Sequence, residues 1–210
     1  VLIVELDGPQ SEVAALFAQV EAVCVRNDGW GLQVARDEAQ RGRIWMGRKA
    51  AFAAMGRIAP NYYVQDGVIP RSKLPEVLRR IRQLEIESGL TIGNVFHAGD
   101  GNLHPLVCYD DAVDGQADLA EQVATQILTY CLDVGGSLTG EHGIGADKAC
   151  HMPKMFTAED LETMQFVRAS FDPGQLCNPG KLFPTPRLCG EVPGPYRAHP
   201  TEIAGLADRV

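Results

Sequence analysis

The sequence predicts an α+β protein of the ferredoxin-like sandwich type, an antiparallel sheet covered by helices with a helical C-terminal extension, and three observations carry that reading. Apolar residues alternate between strand-like and helix-like periods through the first 134 positions. An Asp100-Gly101 turn signal stands between two apolar runs and marks a hairpin in the second half. Beyond it, Thr157-Ala-Glu-Asp160 is a capping box that opens a further helix. Element order suggests a duplicated sandwich, although no repeat is visible residue by residue.

Val1 to Leu6 reads as a buried strand broken by Asp7-Gly8-Pro9. Val13, Leu16, Phe17, Val20 and Val23 recur at helical spacing and predict a helix over 11–25. Residues 29–35 read as a second strand and 36–56 as a second helix, whose apolar stripe of Trp45, Phe52 and Met55 also holds Arg48. A guanidinium on an apolar face requires a partner. That partner is either a surface carboxylate reached by snorkelling or a bound anion, and the residues leave both open. Asn61 to Ile69 is an extended segment ending at Pro70. The helix after it runs to Glu87, buries Leu74, Val77, Leu78, Ile81 and Leu84, and stops at Ser88-Gly89. Hairpin strands follow at 91–97 and 103–109, then helices at 116–134, burying Leu119, Val123, Ile127 and Cys131, and at 146–155. The helix behind the capping box is expected to bury Leu161, Met164, Val167 and Phe171. Pro and Gly recur without period from Pro184, so the domain is read as 1–183 and the tail as 184–210.

The 210 residues are 45% hydrophobic and 22% charged, ordinary globular usage. A net charge of −8 argues against nucleic acid or an anionic membrane surface as partner, since both need a basic face. No run of 18 apolar residues occurs, so no membrane-spanning helix is expected. The chain opens on Val1, directly in a strand pattern, and so reads as a fragment that begins mid-protein. Six cysteines form no C-x-x-C pair, for which reduced cytoplasmic thiols are the simplest account.

The chemistry gathers in two stretches. In Asn94-Val-Phe-His-Ala-Gly-Asp-Gly-Asn-Leu-His104, a two-residue turn at Asp100-Gly101 would set His97 directly opposite His104. Opposed residues have Cβ atoms about 5 Å apart, close enough for both imidazoles to reach one cation. Gly135-Gly-Ser-Leu-Thr-Gly-Glu-His-Gly-Ile-Gly145 is glycine-rich and carries Glu141 and His142. If Glu141 joins the two histidines, two imidazoles and a carboxylate make a metal site with open positions, suited to Zn, Mn or Fe. His142, pointing elsewhere, is better cast as a proton acceptor. Plainer accounts are local hydrogen bonding of the histidines and capping of the 146–155 helix by Glu141. Turn chemistry explains Asn178 and Gly180 in Cys177-Asn-Pro-Gly-Lys181.

His97 to His104, Gly140-Glu-His-Gly-Ile-Gly145 and Asp172-Pro-Gly-Gln-Leu-Cys-Asn-Pro-Gly-Lys181 together resemble the signatures of the C-terminal cap domain of FAD-linked oxidases of the vanillyl-alcohol-oxidase type. Residues 40–75, with Trp45, Arg48 and Asp66 to Pro70, resemble its glycolate oxidase and D-lactate dehydrogenase branch most. The resemblance implies FAD held mainly by an upstream domain of the same polypeptide. It also implies a divalent metal on His97, His104 and Glu141, His142 as base, Arg48 on the substrate carboxylate and Asn178 near the cofactor. Hydroxyglutarate-oxidising members carry a lysine where Val64 stands here, so a small monocarboxylate such as glycolate or lactate fits better. An iron-sulfur electron-transfer subunit is the implied further partner, placing a cytoplasmic protein at the inner membrane only through that subunit. Two rival readings are a metal-dependent hydrolase using the same His/His/Glu set and a docking module for electron-transfer subunits.

Overall fold

In the computed structural model, which describes residues 1–184, the chain is α+β and divides into two compact units, residues 1–54 and the part beginning at Met55. The first unit holds α1 (Gln10–Arg26) and α2 (Glu38–Met55), the last residue of which belongs to the second unit. α1 starts directly after Pro9, whose carbonyl accepts from the N–H groups of Glu12 and Val13. The carboxylate of Glu5 accepts from Arg41 Nη2 at 2.5 Å and from Trp45 Nε1 at 2.8 Å, tying the N-terminal segment to α2. Residues 1–6 and 29–35 form no strand, contrary to the sequence expectation. An apolar run can favour extended backbone, but a strand exists only where a neighbour takes its N–H and C=O groups.

The second unit is built on a three-stranded antiparallel sheet in the order β1 (Asn61–Val64), β5 (Pro105–Tyr109), β3 (Ile92–Asn94). β5 is central and its residues Leu106 and Val107 are fully buried. Pro105, which lacks an N–H, is tolerated there because it is the first residue of the strand. A two-stranded ribbon pairs β2 (Gly67–Val68) with β4 (Asn102–Leu103). α3 (Leu74–Ser88) follows a 3₁₀ turn at Arg71–Lys73, and α4 (Gln116–Asp133) packs on β5 and β1 as well as on α3. Their apolar stripes, Val77, Ile81 and Leu84 on α3 and Val123, Ile127 and Cys131 on α4, close one core with Ile92, Leu103 and Val107. Covering helices on an antiparallel sheet are the expected α+β layering.

A 3₁₀ turn at Ala149–His151 and α5 (Met152–Met155) stand where one helix over 146–155 was expected. Pro153 sits in the first turn of α5, where its missing N–H is harmless. α6 (Ala158–Phe171) begins on the predicted capping box: Thr157 Oγ1 accepts from Asp160 N–H, and the Asp160 carboxylate accepts from Thr157 N–H. Only Leu161 of its four expected core residues is buried; Met164 is half-buried, while Val167 and Phe171 face solvent, Phe171 at 87% exposure. Helical spacing identifies a stripe but not whether any element lies against it. Cys24, Cys108, Cys131 and Cys177 are free thiols, whereas Cys150 is in a disulfide, a departure from the all-reduced expectation. The tail expected at 184–210 lies, from residue 185, outside the described residues.

Candidate functional site

Asp66, His97, His104, Glu141 and His142 gather near β2 and β4. The hairpin carrying the two histidines has a different register from the predicted one. Asn94 pairs with Pro105 and His97 with Asn102, two residues away from the expected pairing of His97 with His104. The cause is the turn, which spans four residues, Ala98 to Gly101, with the N–H groups of Asp100 and Gly101 both donating to His97 O at 3.1 Å. Side chains alternate faces with period two, so a slip of two preserves the face. His97, Asn102 and His104 therefore still share one side, with the histidines as diagonal neighbours whose ring centroids are 5.7 Å apart at 88°.

The second half of the site is delivered by the glycine-rich loop. Ser137 exchanges both backbone hydrogen bonds with Val68, laying the loop along β2. A Cβ on Gly136 would stand 2.0 Å from Val68 O, so only glycine permits that approach. One on Gly140 would meet the Asn102 amide at 2.7 Å. Past this point the chain turns around Asp66, a buried carboxylate that the sequence signals only as part of Asp-x-x-x-Pro. Asp66 Oδ2 accepts from Thr139 Oγ1 at 2.6 Å and from the N–H groups of Gly140, Glu141 and His142 at 3.0, 3.2 and 2.8 Å. Buried Lys148 sets its Nζ 3.5 Å from the same oxygen.

Glu141 Oε1 comes to 3.0 Å from His104 Nε2, and the His142 ring stacks on His104 with centroids 4.9 Å apart and planes within 1°. Donor atoms of Asp66, His104, Glu141 and His142 all lie within 4.8 Å of one another. A cavity of about 300 Å³ adjoins them, lined by Val68, His97, Asp100, Asn102, Gly140 and Glu141. His104 is buried while Glu141 and His142 are half-exposed, so the set has a dry inner wall and an open mouth.

Two titrations follow from these surroundings. Burial, reinforced by neighbouring His142, pushes the His104 imidazolium below its usual range, so His104 is held neutral, the form that ligates metals. Burial alone would raise the Asp66 carboxyl, but the hydrogen bonds from Thr139, His142 and Glu141, with the charge of Lys148, outweigh it and hold the group well below the usual carboxylate range. For His104 the unfolded chain binds the proton first, so stability falls as pH drops below about 6.5. For Asp66 the stabilisation is present above about 4 and lost as pH falls toward the depressed folded value. The melting temperature of the metal-free chain is expected to fall in these two stages, and His104→Gln to flatten the first. An unchanged profile in that variant would show that His104 is not the group responsible.

Donors to one cation must each aim an in-plane lone pair at it, so two imidazoles share an ion only where their planes cross or coincide. His97 and His104, at 88°, meet that condition; His104 and His142, stacked and parallel, do not unless one ring turns. With bonds of about 2.1 Å, rings sharing an ion have centroids no more than roughly 6.4 Å apart. The 5.7 Å between His97 and His104 fits that limit. Among the described residues His97 stands outside the group of donors lying within 4.8 Å of one another, so neutral, buried His104 and the Glu141 carboxylate suit a divalent ion, with His97 or His142 as the second imidazole.

The two remaining expected residues are on other elements of the chain. Arg48, on α2 in the first unit, has its guanidinium 5.9 Å from the Phe52 ring centroid, a cation–π contact one helical turn away. This aromatic partner is neither the surface carboxylate nor the bound anion that the sequence leaves open. Asn178 is exposed at φ 47 in a turn whose carbonyls, those of Cys177, Asn178 and Lys181, accept from Arg168. Among the described residues no helix is long and apolar enough to cross a membrane.

Comparison with known proteins gives a consistent result. Residues 1–182 match the family model for FAD linked oxidases, C-terminal domain. The chain is 45% identical over 191 residues to the glycolate oxidase subunit GlcD of Escherichia coli, covering 91% of this chain and 38% of that protein. To the subunit of the same name in Bacillus subtilis it is 32% identical over 183 residues, 87% of this chain and 39% of that one. A mitochondrial D-lactate dehydrogenase [cytochrome] of Arabidopsis thaliana is 30% identical over 190 residues, 90% of this chain and 33% of that one. The chain thus spans less than two fifths of the length of these relatives.

Proposed function

This chain belongs to the family of FAD linked oxidases, C-terminal domain, and from that premise we propose that it is the substrate- and metal-binding part of a flavin-dependent oxidoreductase. Its reaction is oxidation of a small 2-hydroxy acid, of glycolate or D-lactate type, to the 2-oxo acid with hydride transfer to FAD. The observation that carries the reading is the cluster of His104, Glu141 and His142 donor atoms beside an open cavity that His97 and Glu141 line, in a chain matched by that family along 182 residues. The names of the relatives, glycolate oxidase and D-lactate dehydrogenase, favour a small monocarboxylate. So does Val64, which offers no charge to a second carboxylate.

His97, His104 and Glu141 hold the divalent metal, with orientation favouring His97 over His142 as the second imidazole. When bound, that ion supplies a Lewis acid that lowers the pKa of the substrate hydroxyl. His142 Nε2, 3.9 Å from Glu141 Oε1, takes the hydroxyl proton. Arg48 pairs the substrate carboxylate, and Asn178 lies toward the flavin, which is held mainly by an N-terminal domain of the same polypeptide. FAD carries the redox chemistry, and this domain contributes orientation and electrostatics. An iron-sulfur electron-transfer subunit is the proposed acceptor partner.

Anaerobic mixing of the intact flavoprotein with glycolate or D-lactate tests this: the flavin absorbance is expected to bleach. Arg48→Lys, which loses the bidentate fork, is expected to raise KM strongly with a smaller fall in kcat. A lower melting temperature with unchanged KM would remove Arg48 from the site. Ester or amide hydrolysis without bleaching would favour the hydrolase reading, and neither activity would leave a docking module.

A further inference from the structure

We propose that Asp66 is the positioning residue of the site: its carboxylate folds the turn from Thr139 to Gly143 and thereby aims Glu141 and His142, without itself taking the metal. The metal clause rests on the ligand reading given above; the folding clause stands on this chain's hydrogen bonds alone. By distance Asp66 belongs with the donors, since its Oδ1 is 3.5 Å from His104 Nε2. Its chemistry is different. Four donors converge on Oδ2, three of them consecutive backbone N–H groups, and Lys148 stands at 3.5 Å from the same oxygen. A carboxylate oxygen has about two lone-pair sites, so Oδ2 has none left for a cation, and Oδ1, the oxygen nearer His104, also accepts from Glu141 N–H at 3.4 Å.

Successive N–H groups aimed at one anion form a nest, a concave arrangement more often filled by a bound phosphate or carboxylate. Here the anion is supplied by β2's own flank, at the residue before Gly67, and the nest's residues are the ones that carry the chemistry. Thr139 closes the device, because its Oγ1 donates to Asp66 and accepts from Gly143 N–H at 2.8 Å, fixing both ends of the turn. Lys148 Nζ also donates to Asp66 O, so the positive charge that balances the buried carboxylate is anchored to the same residue. The side chains of Glu141 and His142 are half-exposed and meet His104 and each other, so the backbone that carries them sets where they meet it.

The test compares the chain with Asp66→Asn and Thr139→Val by hydrogen exchange of peptide 138–145 without metal, then by Co(II) titration. Asparagine keeps the shape but loses the charge; valine keeps the carboxylate and its Lys148 pairing, so it remains informative if the first variant fails to fold. Both are expected to speed exchange of the 140–143 amides at least tenfold. Both are expected to weaken Co(II) binding by about 10- to 100-fold, as losing an outer partner of a ligand does. At saturating Co(II) the visible bands keep the parent's positions, because the ligands are unchanged. Unchanged exchange in both variants overturns the proposal. Bands that move in Asp66→Asn alone overturn it too, by making Asp66 a ligand, and a lower melting temperature with unaltered exchange and affinity would leave a merely structural carboxylate. If the parent binds no Co(II), the ligand reading fails while the exchange data still decide the role of Asp66.

Discussion

In the intact flavoprotein, His142→Asn is expected to lower kcat by about 100- to 10,000-fold, the usual loss when a positioned proton acceptor is removed. KM is expected to change far less, because the proton moves only in the transition state. The role proposed for His142 draws on two features of its side chain. Its ring is stacked parallel on His104, an arrangement in which the two do not share an ion unless one ring turns, and its side chain is 49% exposed. Metal content is the control. A variant that loses metal together with activity would make His142 a ligand, and full activity in the variant would remove it from the reaction.

The second large effect is on His104→Ala. Loss of an outer hydrogen-bond partner costs a metal site about 10- to 100-fold in affinity, and loss of a buried ligand is expected to exceed that range. His104 is the one imidazole that touches every other member: 3.0 Å from Glu141, 3.5 Å from Asp66, in ring contact with both His97 and His142. Chelator competition on the chain with Zn or Co(II) measures the effect without any flavin. The same titration on His97→Ala and His142→Ala separates the two candidates for second imidazole. Orientation predicts that His97→Ala weakens binding and His142→Ala does not; the opposite order would exchange their roles. Because burial holds His104 neutral, the protonation of His104 is expected to weaken binding only on acidification past the usual imidazole range.

Local information determined much of this protein. The helical periods of α1, α3 and α4 and the capping box of α6 are set by residues near in sequence, and each element is where spacing places it. The α+β class and the family were legible because the motifs from His97 to His104, Gly140 to Gly145 and Asp172 to Lys181 are long and carry chemistry. Tertiary structure alone decided the rest. Whether residues 1–6 and 29–35 become strands depends on a neighbouring edge, and whether Val167 and Phe171 are core depends on an element lying over them. The hairpin register was decided by a four-residue turn hydrogen-bonded to His97 O, where the Asp-Gly pair had suggested two. Asp66 could not be singled out, because a carboxylate before a glycine resembles any turn residue until three N–H groups from 74 to 76 positions away close around it. Sequence states what a side chain can do; only the fold brings together residues so far apart along the chain.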